Sequence, residues 1–156
     1  MFVDAHLALT AVRGTARMSA VLFSAGTLAA GVAAWRRWSV PAYRGLCVSH
    51  LLHYSAVVVY IQASRGTAFL GSAHFLIAAV FGAMMYALIL RLGFGGEKFK
   101  SIPVGIIGFA FTFAYAGRTA RNWIFAQMLL LVLVSLTVYF RSRFQQRRSK
   151  TSAANA

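Results

Sequence analysis

Apolar stretches of about twenty residues recur along this chain and leave few folds open to it. Hydrophobic residues make up 60% of the 156 residues and charged residues only 12%, which lies outside the usual range for soluble domains. A helix needs roughly 20 residues to cross the hydrocarbon core of a bilayer, and it satisfies its own backbone groups there. The sequence therefore predicts an all-α fold, a polytopic transmembrane helix bundle.

The number of spans depends on whether the polar segment 117–122 separates two spans or lies within one. Five apolar stretches are candidates: 18–35, 43–63, 68–90, 102–116 and 123–140. With five spans, eleven Lys and Arg residues fall on one side of the membrane and five on the other. With four, the split is six and eight, and Arg118 and Arg121 would lie in lipid at a cost of roughly 2.5 kcal/mol or more each. Because basic residues stay on the cytoplasmic side, we predict five spans with the N-terminus outside, in a bacterial inner (cytoplasmic) membrane.

The basic charge predicts lipid rather than nucleic acid as the partner. The net charge of +14 sits between the apolar stretches and at the end of the chain, where lipid phosphates are its neighbours. We predict a single transmembrane bundle over residues 1–140 and a basic, disordered cytoplasmic tail over 141–156 that binds anionic lipids.

Composition also restricts the chemistry. Asp4 and Glu97 are the only acidic residues, which excludes paired-carboxylate catalysis within one chain. Five spans leave no room for a folded flavin or nucleotide domain, so redox chemistry would need a separate reductase or a larger membrane complex. The single Cys47 forms no intrachain disulfide.

Histidines within the spans are the candidate ligands. His50 and His53 lie three residues apart, which places them on one helical face. Two axial imidazoles bind a haem iron from opposite sides, so one of them needs a ligand from elsewhere. Counted from the turn after Arg65, His74 is offset by about 6 Å from His53 and by about 10 Å from His50. His53 with His74 is therefore the better pair, and a second copy of the chain is another source of the opposing imidazole.

Ordinary structural roles compete with ligation at these positions. His50 and His53 could instead donate hydrogen bonds to neighbouring helices, as polar residues of membrane bundles do. For His74 alone the structural interpretation is favoured. A zinc site from Cys47 with His50 and His53 lacks a fourth ligand.

A short basic motif occurs twice. Arg13 to Arg17 read RGTAR before the first span, and residues 117–121 read GRTAR before the fifth. Both fall at outer helix starts in the predicted topology, and helix N-termini favour anions. One hypothesis is a shared anion or lipid-headgroup site, and the alternative is a chance repeat.

Three stretches together resemble a known family. They are Ala16-Arg17-Met18-Ser19 leading into Leu22-Phe23, then Tyr43-Arg44-Gly45-Leu46 followed by His50-Leu51-Leu52-His53, and Phe113-Ala114-Tyr115-Ala116-Gly117-Arg118. The chain resembles small bacterial membrane proteins related to the ferric reductase-like transmembrane domain. Where such proteins carry a Trp and a Leu-His pair, this chain reads Glu97-Lys98-Phe99-Lys100, and its fourth span has no histidine.

The resemblance implies haem b held between histidines of different helices and electron transfer across the membrane. We carry this over to His50 or His53 opposite His74, with a separate reductase as partner. A non-enzymatic accessory subunit of a larger membrane complex is the alternative function. A transporter is less favoured because no buried carboxylate is available for ion coupling.

Overall fold

The computed structural model describes residues 4–96, 100–119 and 122–154. The described residues form five α-helices and contain no strand, which confirms the all-α prediction. The helices are α1 (Ala5–Gly31), α2 (Ser39–Arg65), α3 (Ala73–Phe94), α4 (Ser101–Ala116) and α5 (Trp123–Ala154), with short 3-10 helices at Ala33–Trp38 and Thr67–Gly71.

The five helices close into a ring. Each helix packs against the next one in the chain, and α5 packs back against α1. Short connections make sequential helices antiparallel neighbours. The bundle therefore has one end at which α1 begins and α2 ends, called the open end below.

Among the residues that the structure describes, three helical segments are long and apolar enough to cross a membrane: Ala33–Arg65, Ala73–Phe94 and Trp123–Ser149. The α4 helix is apolar but shorter, and α1 carries Arg13 and Arg17 within it. Large apolar side chains face outward, among them Phe113, which is 76% exposed. An outward-facing apolar surface of this kind suits lipid. The molecule is a helical bundle with the features of an integral membrane protein.

The α1 helix begins earlier than predicted. It starts at Ala5 rather than at residue 18, because Asp4 caps it by accepting the backbone N–H of His6 at 2.8 Å. Arg13 and Arg17 therefore lie inside the helix and not before it. The helix therefore extends beyond the predicted span, 18–35, and includes both arginines.

The α5 helix continues beyond the predicted span. Asn122 caps its start by accepting the backbone N–H of Ile124 at 2.9 Å, and the helix runs for 32 residues to Ala154. No Gly or Pro interrupts this segment, and extending a helix is easier than starting one. The segment from residue 141, predicted to be disordered, is helical up to Ala154.

Hydrogen bonds fix the register of α1 against α2. The Tyr43 hydroxyl donates to Thr27 Oγ1 at 3.2 Å, and the hydroxyls of Ser19 and Ser49 lie 3.0 Å apart. Both pairs fit one antiparallel alignment of the two helices. A residue of α1 can therefore be matched with the residue of α2 at the same position along the bundle axis, called its height below. This hairpin is the reference for the rest of the bundle.

The turn between α4 and α5 lies well inside the length of α1. The Tyr115 hydroxyl donates to the Ala16 carbonyl at 3.3 Å, so α4 ends eleven residues, or about 16 Å, short of the start of α1. At the other end, Gly31 lies against the backbone of Tyr139, which places the start of α5 near the height of Thr15. Only α1, α2 and α3 extend to the open end.

The apolar core occupies the opposite half of the bundle, where all five helices are present. Its largest buried side chains are Phe23, Tyr43, Leu46, Ile89, Leu92, Val104, Ile107, Val132 and Tyr139. Towards the open end, α4 has ended and α5 has not yet begun, which leaves space between α1, α2 and α3. The candidate site lies where this space begins.

Candidate functional site

A cavity of about 830 Å³ lies where the core ends. This volume falls within the usual range of small-molecule sites, roughly 300–1,000 Å³. All five helices and the α4–α5 turn line it: Leu9, Val12, Arg13, Ala16, Arg17, His50, His53, Tyr54, Val57, Met85, Ile89, Ile107, Ala110, Phe111, Ala114, Tyr115, Arg118, Asn122 and Phe125. Apolar walls with a few convergent polar groups are the usual character of a ligand site.

His50 and His53 both face this cavity, as their spacing predicts. Their ring centroids are 5.6 Å apart. The ring of His50 also stands edge-on to Tyr54 at 4.8 Å and to Phe111 at 6.4 Å. Within the described part of the chain, the buried Nδ1 of His50 has no hydrogen-bond partner. Its surroundings on the cavity side are aromatic rather than hydrogen-bonding.

A hydrogen bond to α1 orients His53. Thr15 Oγ1 lies 3.1 Å from His53 Nδ1 and 2.8 Å from the Ala11 carbonyl. A carbonyl can only accept, so a Thr15 hydroxyl that donates to Ala11 accepts from His53 Nδ1. In that arrangement the neutral imidazole of His53 keeps its lone pair on Nε2. Metal-binding histidines are usually oriented by such a hydrogen bond from the other ring nitrogen.

His74 lies elsewhere. It occupies the first turn of α3, is exposed, and is not among the cavity-lining residues. The Tyr54 hydroxyl donates to the Gly82 carbonyl at 2.6 Å, so His74 lies eight residues, or about 12 Å, further towards the open end. The structure does not bring His74 together with His53.

The connection between α2 and α3 explains why His74 lies further from His53 along the bundle than the sequence predicts. The α2 helix ends at Gly66, whose φ of 77° is in the left-handed region that favours glycine. The 3-10 helix Thr67–Gly71 then takes up residues that the prediction assigned to the third span. Ser72 caps α3 by accepting the backbone N–H of Phe75 at 3.3 Å. The helix therefore begins at Ala73 rather than at residue 68.

Cys47 does not join the histidines at the cavity. Its side chain is buried, and its thiol donates to the Ile89 carbonyl at 3.5 Å. Among the described residues, no three His, Cys, Asp or Glu side chains converge on a point that could hold a metal ion. A zinc site built from Cys47, His50 and His53 therefore has no support in the described geometry.

Arginines are the site residues that the histidine argument missed. Arg13, Arg17 and Arg118 line the same cavity as His50 and His53. The repeated basic motif was the signal that could find them, since it links the two segments. Arg121, the fourth member of that motif, lies outside the described residues.

Comparison of the chain with protein families, with curated proteins and with solved structures gives no match. The chemistry of the site is therefore argued from its own geometry.

Proposed function

We propose that this membrane bundle binds a b-type haem in the inter-helix cavity, with His53 as the protein ligand to iron, and takes part in electron transfer across the membrane. The observation that carries the proposal is that His53 lines the cavity while its Nδ1 is hydrogen-bonded to Thr15, so Nε2 is the ring nitrogen that would bind the iron. A separate reductase would supply electrons, and the membrane would be the bacterial inner membrane.

The residues at the cavity fit one side of such a group. The volume suits a ligand of this size class. Facing α2 across the cavity, α4 presents Phe111 and Ala114 rather than a histidine. His53 on α2 would therefore hold the iron, and any further ligand would come from a second copy or from outside the protein.

The resemblance to the ferric reductase-like domain supports the same site. Each of the three stretches that carry it contributes a charged, aromatic or imidazole side chain to the cavity: Arg17 from the first, His50 and His53 from the second, Tyr115 and Arg118 from the third. Stretches far apart in the sequence thus meet at one place.

The chain's own residues have distinct tasks in this proposal. Thr15 holds the His53 ring, while Phe111 and Ile107 exclude water from the inner part of the cavity. When bound, a haem supplies a one-electron redox centre whose potential depends on the axial ligand and the surrounding dielectric.

An optical spectrum of the purified protein tests the proposal. After expression with adequate haem supply, we expect a Soret band in the wild type and in His74→Ala, the matched control outside the cavity. We expect His53→Ala to lose the band and to regain it with added imidazole, which separates lost ligation from misfolding. Absence of a Soret band in the wild type, or an unchanged band in His53→Ala, would reject haem ligation by His53.

A further inference from the structure

Three arginine residues from two different segments line the cavity. Arg13 and Arg17 lie one turn apart on α1, and Arg118 follows the end of α4. The hydrogen bond between Tyr115 and the Ala16 carbonyl sets the end of α4 at the height of this turn of α1. The basic motif near the start of the chain and its repeat near residue 118 therefore meet in space.

Nothing in the described part of the chain neutralises this charge. Asp4 is the only acidic residue there, and its carboxylate caps α1 nine residues before Arg13, about 13 Å away along the helix. Arg17 is half-buried, and an arginine placed within a membrane bundle pairs with an anion or faces water. A bound anion would supply the missing countercharge.

The remaining lining of the cavity favours an anion with an apolar body. The apolar side chains that share the cavity lining with the arginines include Leu9, Val12, Val57, Ala114 and Phe125. A free inorganic anion would leave these apolar surfaces facing water, whereas an acyl chain would cover them. The planar fork of an arginine also matches the oxygens of a phosphate.

We propose that Arg13, Arg17 and Arg118 form a site for the phosphate of an anionic phospholipid, whose acyl chain lies against the apolar lining of the cavity. A free phosphate and a phospholipid headgroup would present the same oxyanion to the arginines. The apolar lining of the cavity favours the phospholipid. This site involves no iron ligand and does not rest on haem binding.

Binding of phosphatidylglycerol to the detergent-purified full chain, followed by native mass spectrometry, tests the site. We expect Arg17→Gln and Arg118→Gln each to weaken the tightest binding event about tenfold, the equivalent of one charge-assisted contact. Arg65→Gln is the matched control, because Arg65 is also an exposed arginine at the open end but lies outside the cavity lining. Equal affinities in all three variants would overturn the proposal.

Arg17→Lys distinguishes site geometry from folding. It keeps the charge and loses the planar fork, so we expect an affinity between those of the wild type and Arg17→Gln. If Arg17→Lys binds more weakly than the wild type, while wild-type elution in size exclusion shows it to be folded, the planar fork contributes to the binding as proposed. A lysine variant indistinguishable from the wild type would overturn the assignment to a fork-bound phosphate.

Two further arms separate the possible occupants. We expect millimolar inorganic phosphate not to displace phosphatidylglycerol, and displacement would reassign the site to a free anion and overturn the lipid. We expect His53→Ala to keep phosphatidylglycerol binding and the arginine variants to keep any Soret band. Loss of the Soret band in the arginine variants without loss of lipid would place the carboxylates of a haem at these arginines, and would overturn the lipid site while leaving haem binding intact.

Discussion

The hydrogen bond between Thr15 and His53 joins α1 to α2 at the wall of the cavity. It orients the imidazole, and in the proposed function Nε2 is the nitrogen that binds the iron. Removing such an orienting partner typically costs 10- to 100-fold in metal affinity, as an order of magnitude. The proposed function therefore depends on this hydroxyl as well as on the histidine.

Thr15→Val removes the hydroxyl and keeps the shape of the side chain. We expect haem affinity to fall at least about tenfold, measured by titrating haem into the purified protein and following the Soret band. Thr10→Val is the control, because the Thr10 hydroxyl donates to the His6 carbonyl of its own helix at 3.0 Å and is exposed. Equal affinities in the two variants would contradict the orienting role of Thr15.

The sequence predicts part of the site. A spacing of three residues on one helix is local, so the shared face of His50 and His53 follows from helical geometry alone. The height of His74 depends on the 3-10 helix after Gly66, which no periodicity reveals. The contact of Arg118 with the same cavity depends on where α4 ends against α1, which is a tertiary property.

At the scale of helices, close packing of α1 on α2 depends on Gly26. A Cβ added at this position would lie 2.8 Å from two ring carbons of the buried Tyr43, closer than carbon atoms pack. Membrane helices approach closely where such small residues lie in the interface.

Gly26→Ala should therefore destabilise the bundle. Overpacking of a filled interface costs about 1–3 kcal/mol, measured as a lower thermal or denaturant midpoint in detergent. Gly14→Ala is the control on the same helix, since a Cβ there meets nothing within 4 Å, and we expect it to be neutral or stabilising by about 0.5–1 kcal/mol. If the two variants unfold at the same midpoint, the α1–α2 interface is not packed as described.

The helical continuation of α5 predicts slow amide exchange beyond the apolar segment. We expect backbone amides of residues 141–149 to exchange at least about tenfold more slowly than an unstructured peptide, because hydrogen-bonded amides exchange only on opening. Hydrogen–deuterium exchange with mass spectrometry measures this rate. Exchange at the unprotected rate from residue 141 onward would contradict the helix and support the disordered tail that the sequence predicts.

Helix existence was predictable and helix ends were not. Apolar stretches long enough for a bilayer specify where helices form, and each of the five predicted stretches falls largely on a helix. The ends depend on caps such as Asp4 and Asn122 and on the absence of a breaker after Phe140. These errors matter here, because the early start of α1 carries Arg13 and Arg17 into the wall of the cavity.

On the scale of the whole molecule, the charge distribution predicts the orientation. In a Cys47→Ser background, Ser64→Cys and Ser149→Cys place single exposed thiols near opposite ends of the bundle. We expect a membrane-impermeant maleimide to label residue 64 in intact cells and residue 149 only after permeabilisation, because the basic side stays in the cytoplasm. The reverse pattern would invert the predicted topology.

The architecture divides the bundle into two halves with different tasks. All five helices share the apolar core in one half, and the shortfall of α4 and the late start of α5 open the cavity in the other. Residues from five helices, separated by up to 116 positions between Leu9 and Phe125, meet there. We propose that this space is a cofactor site and not a packing defect.

Native mass spectrometry of the protein released from its own membrane tests that claim most directly. We predict the mass of a bound haem on the wild-type protein, retained in His74→Ala and absent from His53→Ala. Wild-type chains that are released without a haem, from cells with adequate haem supply, would contradict it.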